Sequence, residues 1–183
     1  MFNNASPRMP ARNTSKTQNG SQDKTDRTTL DLSEPERQVL TALRQFCIGY
    51  ITPNSDMWEA AFDTCMREFG PTHGPKIGVA VMKSLKVLRI TRKTTFRFKN
   101  PNCRCCRGIL SDHEAYFLGV LRAWRSNDGL ARQTQIILLC EGEDAESFSD
   151  RVKVLAVQLD ELSASYDQKR SLKSRNRLKI TYR

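Results

Sequence analysis

The sequence predicts a mainly α-helical protein: a bundle of about six helices with a short strand and a cysteine knuckle in its middle. Three observations support this fold class. Apolar residues recur at helical spacing in several segments, two helix-capping patterns are present, and both ends of the chain are polar. The 183 residues suffice for one domain of ordinary size plus tails.

The first 32 residues are rich in Asn, Ser, Thr, Gln, Pro and Gly. Such a segment buries too little apolar surface to offset the entropy of ordering, so we expect a disordered tail. The chain shows no signal-peptide pattern and no apolar run of about 18 residues, so we expect a cytoplasmic protein that does not bind membranes. Its six cysteines should then be free thiols or metal ligands.

The sequence pattern over residues 33–99 predicts three helices followed by a short strand. Ser33 and Glu36 have the spacing of a capping box, and apolar residues then recur at helical spacing to about Ile51. Further helices are expected over 56–69 and 76–91, separated by a six-residue turn over 70–75 that contains two glycines and two prolines.

Phe96 and Phe98 alternate with polar neighbours, which predicts a short strand with one buried face. Three helices, of which the last is basic, followed by a strand are compatible with a helix-turn-helix or winged-helix module. The connector is longer than the usual turn of that module and a second wing strand is absent. An ordinary helical bundle with a basic face is therefore the alternative.

The segment 100–110 contains three of the six cysteines, in the order Cys103, Cys105 and Cys106. Cys103 and Cys106 form a C-x-x-C pair, and Gly108 follows where a tight turn would need it. This arrangement resembles one half of a zinc ribbon knuckle, since two thiolates at that spacing can bind one tetrahedral ion. We expect nearby Arg104 and Arg107 to lower the thiol pKa values.

The predicted metal ligands are Cys103, Cys106, Cys105 and His113, with zinc as the ion. A second C-x-x-C pair is missing, so His73, Cys47, Cys65 and Cys140 remain alternatives for the other ligands, with Asp112 a poorer one. An iron–sulfur cluster is a less favoured alternative, because no complete cluster spacing is present. The cysteines could also be reduced thiols without a metal.

Residues 111–167 predict a second helical half. Ser111 and Glu114 have the spacing of another capping box, and helices are expected from there, over about 130–140, and from about Asp144. The last helix has an a/d seam that packs either on this chain or on a second copy as a homodimer; its residues are Phe148, Val152, Leu155, Leu159, Leu162 and Tyr166. Residues 168–183 should form an exposed basic tail.

Charge gives the strongest indication of a partner. The formal net charge is +10, and it is concentrated in two blocks without acids, 83–107 and 169–183. Such blocks favour a polyanion, nucleic acid first. The predicted contact residues are Lys83, Lys86, Arg89, Arg92, Lys93, Arg97 and Lys99.

The chain has no P-loop, dinucleotide-binding or nucleophile-elbow motif, and only two histidines are available for catalysis. We therefore expect a non-enzymatic regulator or accessory protein that binds nucleic acid through a basic helix-strand face, with a structural zinc knuckle. Two alternatives remain from the sequence. One is a protein-interaction or scaffolding module built on the last helix, and the other is a thiol-based metal or redox sensor.

Overall fold

The computed structural model describes residues 28–52, 55–143 and 145–180. Within those ranges it has five α-helices: α1 (Glu34–Ile51), α2 (Asp56–Thr91), α3 (Asp112–Arg125), α4 (Gly129–Cys140) and α5 (Glu146–Ile180). Most of the predicted disordered tail (1–27), the predicted helix start at Asp144 and the end of the basic tail (181–183) lie outside them.

The described part of the chain begins at Thr28, before residue 33, where the predicted tail was expected to end. Thr28 forms an antiparallel bridge with Ile109, and Thr29–Asp31 forms a turn of 3₁₀-helix. Leu32 is buried in the core. Contacts with a distant loop, which composition cannot report, therefore order these last residues of the predicted tail.

The first helix forms where the sequence predicts it. The Ser33 N–H donates to Glu36 Oε2 at 2.8 Å, as a capping box requires. The expected apolar stripe is buried, with Val39, Leu43 and Phe46 almost inaccessible to solvent.

The two helices predicted over 56–69 and 76–91 are halves of one element, α2, so the described residues hold five helices where about six were expected. The break is the single residue Gly70, at φ 75° and ψ 172°, in place of the predicted six-residue turn. Pro71 begins the second half, where its missing N–H costs nothing. Gly74 packs against the first half, since a Cβ there would lie 2.6 Å from the Cys65 carbonyl oxygen.

The prediction of a short strand around Phe96 and Phe98 is wrong, because residues 92–100 form no strand in this structure. The alternation itself corresponds to real burial, because both phenylalanines are half-buried against the core. No second strand lies alongside, however, and the backbone N–H groups of this connecting segment bind side chains instead. The wing of the winged-helix interpretation is therefore absent from the described residues.

One core joins all five helices. α2 packs on α1 and α5, while α3 packs on α4 and α5. The seam of α5 is buried from Phe148 to Leu162, whereas Tyr166 is 54% exposed. From Phe148 to Leu162 this seam therefore packs inside the chain, the first of the two arrangements that the heptads allowed. The helix continues beyond residue 167 to Ile180, through most of the predicted basic tail.

No described helix combines the length and the apolar character that crossing a membrane requires.

Candidate functional site

The three cysteines of residues 100–110, here named the Cys loop, come together at the surface. Cys103 Sγ lies 2.9 Å from Cys105 Sγ, and Cys105 Sγ lies 3.6 Å from Cys106 Sγ. All three sulfur atoms lie within 4.8 Å of one another, which makes them a group that could hold a metal ion. Cys105 is exposed, and its two partners are half-exposed.

Local hydrogen bonds bring these sulfur atoms together. Asn100 Oδ1 accepts from the Asn102 N–H at 2.9 Å, which turns the chain next to Pro101. The Cys103 carbonyl then accepts from the N–H groups of Cys106 at 3.2 Å and Arg107 at 3.0 Å. The backbone is therefore wound tightly enough for adjacent cysteines to point to the same side.

The Cys loop is closed at its base by one carboxylate. Glu114 is fully buried, and it accepts from the Lys99 N–H at 3.0 Å and from the Ser111 N–H at 2.8 Å. These residues flank the loop on either side, so a single side chain fixes the separation of its two ends.

Arg44 of α1 completes this base. Its guanidinium donates to both oxygens of Glu114, at 2.6 and 3.0 Å, and both side chains are almost completely buried. It also donates to the carbonyls of Arg107 at 2.9 Å and Ile109 at 2.7 Å. Because each guanidinium nitrogen and each carboxylate oxygen has a partner, the buried charges are compensated. We name Arg44 and Glu114 the loop clamp.

The thiols of the Cys loop differ in acidity. Hydrogen bonds from Cys105 and then Cys106 lower the pKa of Cys103 to about 7. Hydrogen bonds to Cys103 and then Cys105 raise the pKa of Cys106 to about 11. Neighbouring thiols, and not Arg104 and Arg107 as the sequence suggested, account for these shifts.

His113, a predicted ligand, is not part of the sulfur cluster. Its Nδ1 accepts from the Arg97 N–H at 2.8 Å, so the neutral ring has its proton on Nε2. Nε2 faces the Arg92 guanidinium at 3.4 Å. Burial and then the charges of Arg92 and Arg97 lower its pKa. Both ring nitrogens thus face the connecting segment, and Nδ1 accepts a hydrogen bond from it.

The remaining cysteines lie in the core. Cys47, Cys65 and Cys140 are buried. Burial raises the pKa of all three thiols, to about 12 for Cys65 and about 11 for Cys140. Neutral buried thiols are poor metal ligands, so these side chains act as small apolar residues. The described residues bring none of the alternative ligands to the Cys loop.

The donor set suits a soft ion. Tetrahedral zinc with bonds of about 2.3 Å places thiolate sulfurs roughly 3.8 Å apart. The sulfur separations of 2.9 and 3.6 Å are close to this value, and slight opening of the loop would reach it. The cluster would supply three ligands. Nothing else in the described residues contributes a fourth.

The predicted nucleic-acid contact residues fall into two groups. Lys83 and Lys86 are exposed on the face of α2 opposite its buried side, Arg89 is exposed at the edge of that face, over the Tyr50 ring of α1, and Arg97 is also exposed. None of these four forms an ion pair within the described ranges. Lys99 is half-buried, and its backbone belongs to the base of the Cys loop.

Arg92 and Lys93 have structural partners. Arg92 is buried, donates to Glu141 at 2.8 Å and also binds the Leu139 carbonyl, so it is not available to a phosphate. Lys93 is exposed and pairs with Glu143. Glu141 also accepts from the Lys93 N–H at 2.9 Å, which fixes the start of the connecting segment.

Sequence reasoning missed several residues of this region. Lys76 is exposed on the same face of α2 as Lys83, two turns away, and the seven-residue spacing could have revealed it. Arg44 sits within the apolar stripe of α1, where a charged residue signals a buried partner. The capping pattern of Glu114 was visible, but its contacts with Arg44 and Lys99 depend on the fold.

Comparisons with protein-family models, curated proteins and solved structures found no match to this chain.

Proposed function

We propose that this protein is a non-enzymatic accessory or regulatory protein that binds nucleic acid through the second half of α2. The observation that carries the proposal is the row Lys76, Lys83, Lys86 and Arg89. These exposed cations lie along one helix half, 71–91, that contains no acidic residue. Cations without nearby acids bind phosphates by releasing counterions, and such binding depends strongly on salt.

The row extends for about 20 Å along the helix axis from Lys76 to Arg89. That length suits a repeated anion better than a single small one. Arg104 and Arg107 are also exposed and add positive charge on the Cys loop, outside the row. The absence of a wing argues for contacts with phosphates and not for sequence reading by a winged-helix module.

The test is binding of labelled oligonucleotides at 50 and 200 mM salt. The triple variant Lys76→Ser, Lys83→Ser, Lys86→Ser removes three exposed cations from the row. We expect at least a tenfold loss of affinity and a salt slope reduced by about one for each lost phosphate contact.

The matched control removes the same charge elsewhere, as Arg67→Ser, Arg151→Ser, Lys153→Ser. These residues are exposed on other parts of the surface. The control should bind like the unmodified protein. An equal loss in both triple variants would mean that only net charge matters, and no binding by the unmodified protein would refute the proposal.

Zinc at Cys103, Cys105 and Cys106 is the structural part of the proposal. When bound, it would hold the Cys loop in one conformation next to the basic residues that the loop contains. Elemental analysis should give about one zinc per chain, lost in Cys103→Ser, Cys106→Ser and retained in the control Cys65→Ala. We also propose the cytoplasm as the compartment. A zinc site needs reduced thiols, and the cytoplasm keeps thiols reduced.

A thiol-based sensor is the second candidate, and the acidity of Cys103 favours it. A thiol with a pKa of about 7 is partly thiolate at neutral pH, and Cys105 lies 2.9 Å away as a partner. Oxidation by a hydroperoxide would join the two sulfurs in a disulfide, and the two electrons and two thiol protons would reduce the hydroperoxide to an alcohol and water. Alkylation of the metal-free protein should then show a midpoint near pH 7, and a midpoint near pH 9 would exclude this candidate.

A further inference from the structure

A cavity of about 320 Å³ opens next to the cationic row, between the end of α1, the end of α2 and the connecting segment. Its volume is within the range of small-ligand sites. Leu85 and Leu88 lie at its base and are almost completely buried. The cavity is therefore a preformed recess in the core surface.

The walls of the recess are aromatic. Tyr50, Phe96 and Phe98 line it, and each ring packs against the core while keeping part of its surface accessible. The Cys47 thiol also lines it, and burial raises the pKa of that thiol, so it adds neutral apolar surface. A flat apolar group of a ligand would therefore contact aromatic side chains in the recess.

The charge at the recess is positive. The Arg89 guanidinium lies 4.0 Å from the centroid of the Tyr50 ring, and it has no acidic partner among the described residues. Arg92 and Lys93 also line the recess, but both are paired with glutamates. Arg89 is thus the wall cation whose charge remains available to a ligand.

We propose that this recess takes an unstacked base of a single-stranded nucleic acid. The base stacks on the ring of Phe96 or Phe98, and Arg89, whose guanidinium covers the Tyr50 ring, contacts an adjacent phosphate. This inference rests on the proposed function and names its ligand class. An acid with an apolar tail would also suit the recess, but the row of cations that leads away from Arg89 favours a chain of phosphates over one carboxylate.

A base can enter the recess only after it leaves a stack, which is far easier in a single strand than in a duplex. The structure therefore implies that single strands bind more tightly than duplexes of the same length. The difference comes from aromatic contacts, while the phosphate contacts of the α2 row serve both forms.

The experiment compares a labelled single-stranded 12-mer with the matching duplex, by fluorescence anisotropy at fixed salt. Phe96→Leu and Phe98→Leu keep an apolar side chain and remove the ring face. Each should weaken single-strand binding at least about fivefold, the lower end for loss of one stacked base, and leave duplex binding unchanged. Thr95→Trp, at an exposed wall position, should block the recess with the same result.

Tyr166→Leu is the matched control, because it removes an exposed aromatic ring from α5, far along the chain from the recess. It should bind both oligonucleotides normally. Circular dichroism and the unfolding midpoint confirm that each variant is folded.

The outcomes separate the two proposals. Equal binding of single strand and duplex, or a single-strand preference that the recess variants leave intact, overturns the recess inference alone. Binding of neither oligonucleotide overturns the proposed function together with it.

Discussion

Two glutamates hold the whole segment between α2 and α3, residues 92–111, and they differ mainly in their surroundings. Glu114, paired with Arg44, has no exposed side-chain surface. Glu141, paired with Arg92, is 23% exposed. Both accept hydrogen bonds from backbone N–H groups as well as from an arginine.

The same pattern of bonds should therefore have unequal energetic consequences at Glu114 and Glu141. Water reaches part of the Glu141 carboxylate, although the Arg92 guanidinium beside it is buried, whereas it reaches neither side chain of the loop clamp. The end of the segment that contains the Cys loop should therefore be much less tolerant of change than its beginning.

The largest effect is expected from Glu114→Gln. An amide leaves the Arg44 charge uncompensated and directs an N–H toward donors, which should lower the free energy of unfolding by about 3–5 kcal/mol. The corresponding fall in Tm is roughly 6–20 °C for a chain of this size. Urea unfolding followed by circular dichroism measures the loss of free energy, and thermal unfolding measures the fall in Tm.

The double variant Arg44→Met, Glu114→Met sharpens this result. Apolar replacement often restores stability when an ion pair alone is lost. Here the N–H groups of Lys99 and Ser111 would lose their acceptor, so we expect the double variant to stay less stable than the unmodified protein. Full recovery would show that these backbone bonds contribute nothing.

Glu141→Gln should have a smaller effect, centred on the start of the segment. The hydrogen bond from the Thr94 hydroxyl is the largest cause that lowers the pKa of Glu141. The ionised carboxylate is therefore the form that accepts these hydrogen bonds. Hydrogen exchange should speed up at the Lys93 and Thr94 amides and leave the Lys99 amide protected. A loss of stability equal to that of Glu114→Gln would remove the contrast between the two glutamates.

A still smaller effect concerns pH. The pKa of His113 is lowered in the folded protein, so the unfolded chain binds the proton more readily and stability should fall as pH drops below about 6.5. His113→Asn keeps an acceptor near the Nδ1 position and should reduce the change in unfolding midpoint between pH 7.5 and 5.5. An unaltered pH dependence in this variant would assign the effect to another group.

The smallest effect is expected at the surface pair of Arg125 and Asp160, whose oxygen lies 2.8 Å from Arg125 Nε. Asp160 is 53% exposed, so Arg125→Gln should cost less than about 1 kcal/mol. A double-mutant cycle with Asp160→Asn measures the coupling between the two charges. A coupling as large as the loss at Glu114 would contradict the role assigned to burial.

Helices were predictable where one residue's partners lie within a few positions of it. The capping boxes at Ser33 and Ser111, and the stripe of α5, depend on such local spacing and are confirmed. Gly70 shows the limit, since two prolines and two glycines predicted a long turn. A single left-handed residue followed by Pro71 was sufficient.

The connecting segment was hard to predict because its partners are distant. Phe96 and Phe98 alternate as in a strand, but strand formation needs a second strand that this chain does not provide there. The convergence of the three loop cysteines was only partly visible, since spacing suggested the C-x-x-C pair and the position of Cys105 depended on the turn. The predicted His113 ligand failed to join them because Arg97 and Arg92 engage its ring.

The order of these contacts along the chain has a consequence for biosynthesis. The clamp and every backbone bond that it makes lie between Arg44 and Glu114, and the bridge from Thr28 reaches Ile109. The Cys loop can therefore be assembled on a nascent chain before α5 has been translated. The face of α2 that packs on α5 must wait for Phe148 and the residues after it, so a ribosome-bound intermediate would have a finished loop on an unfinished core.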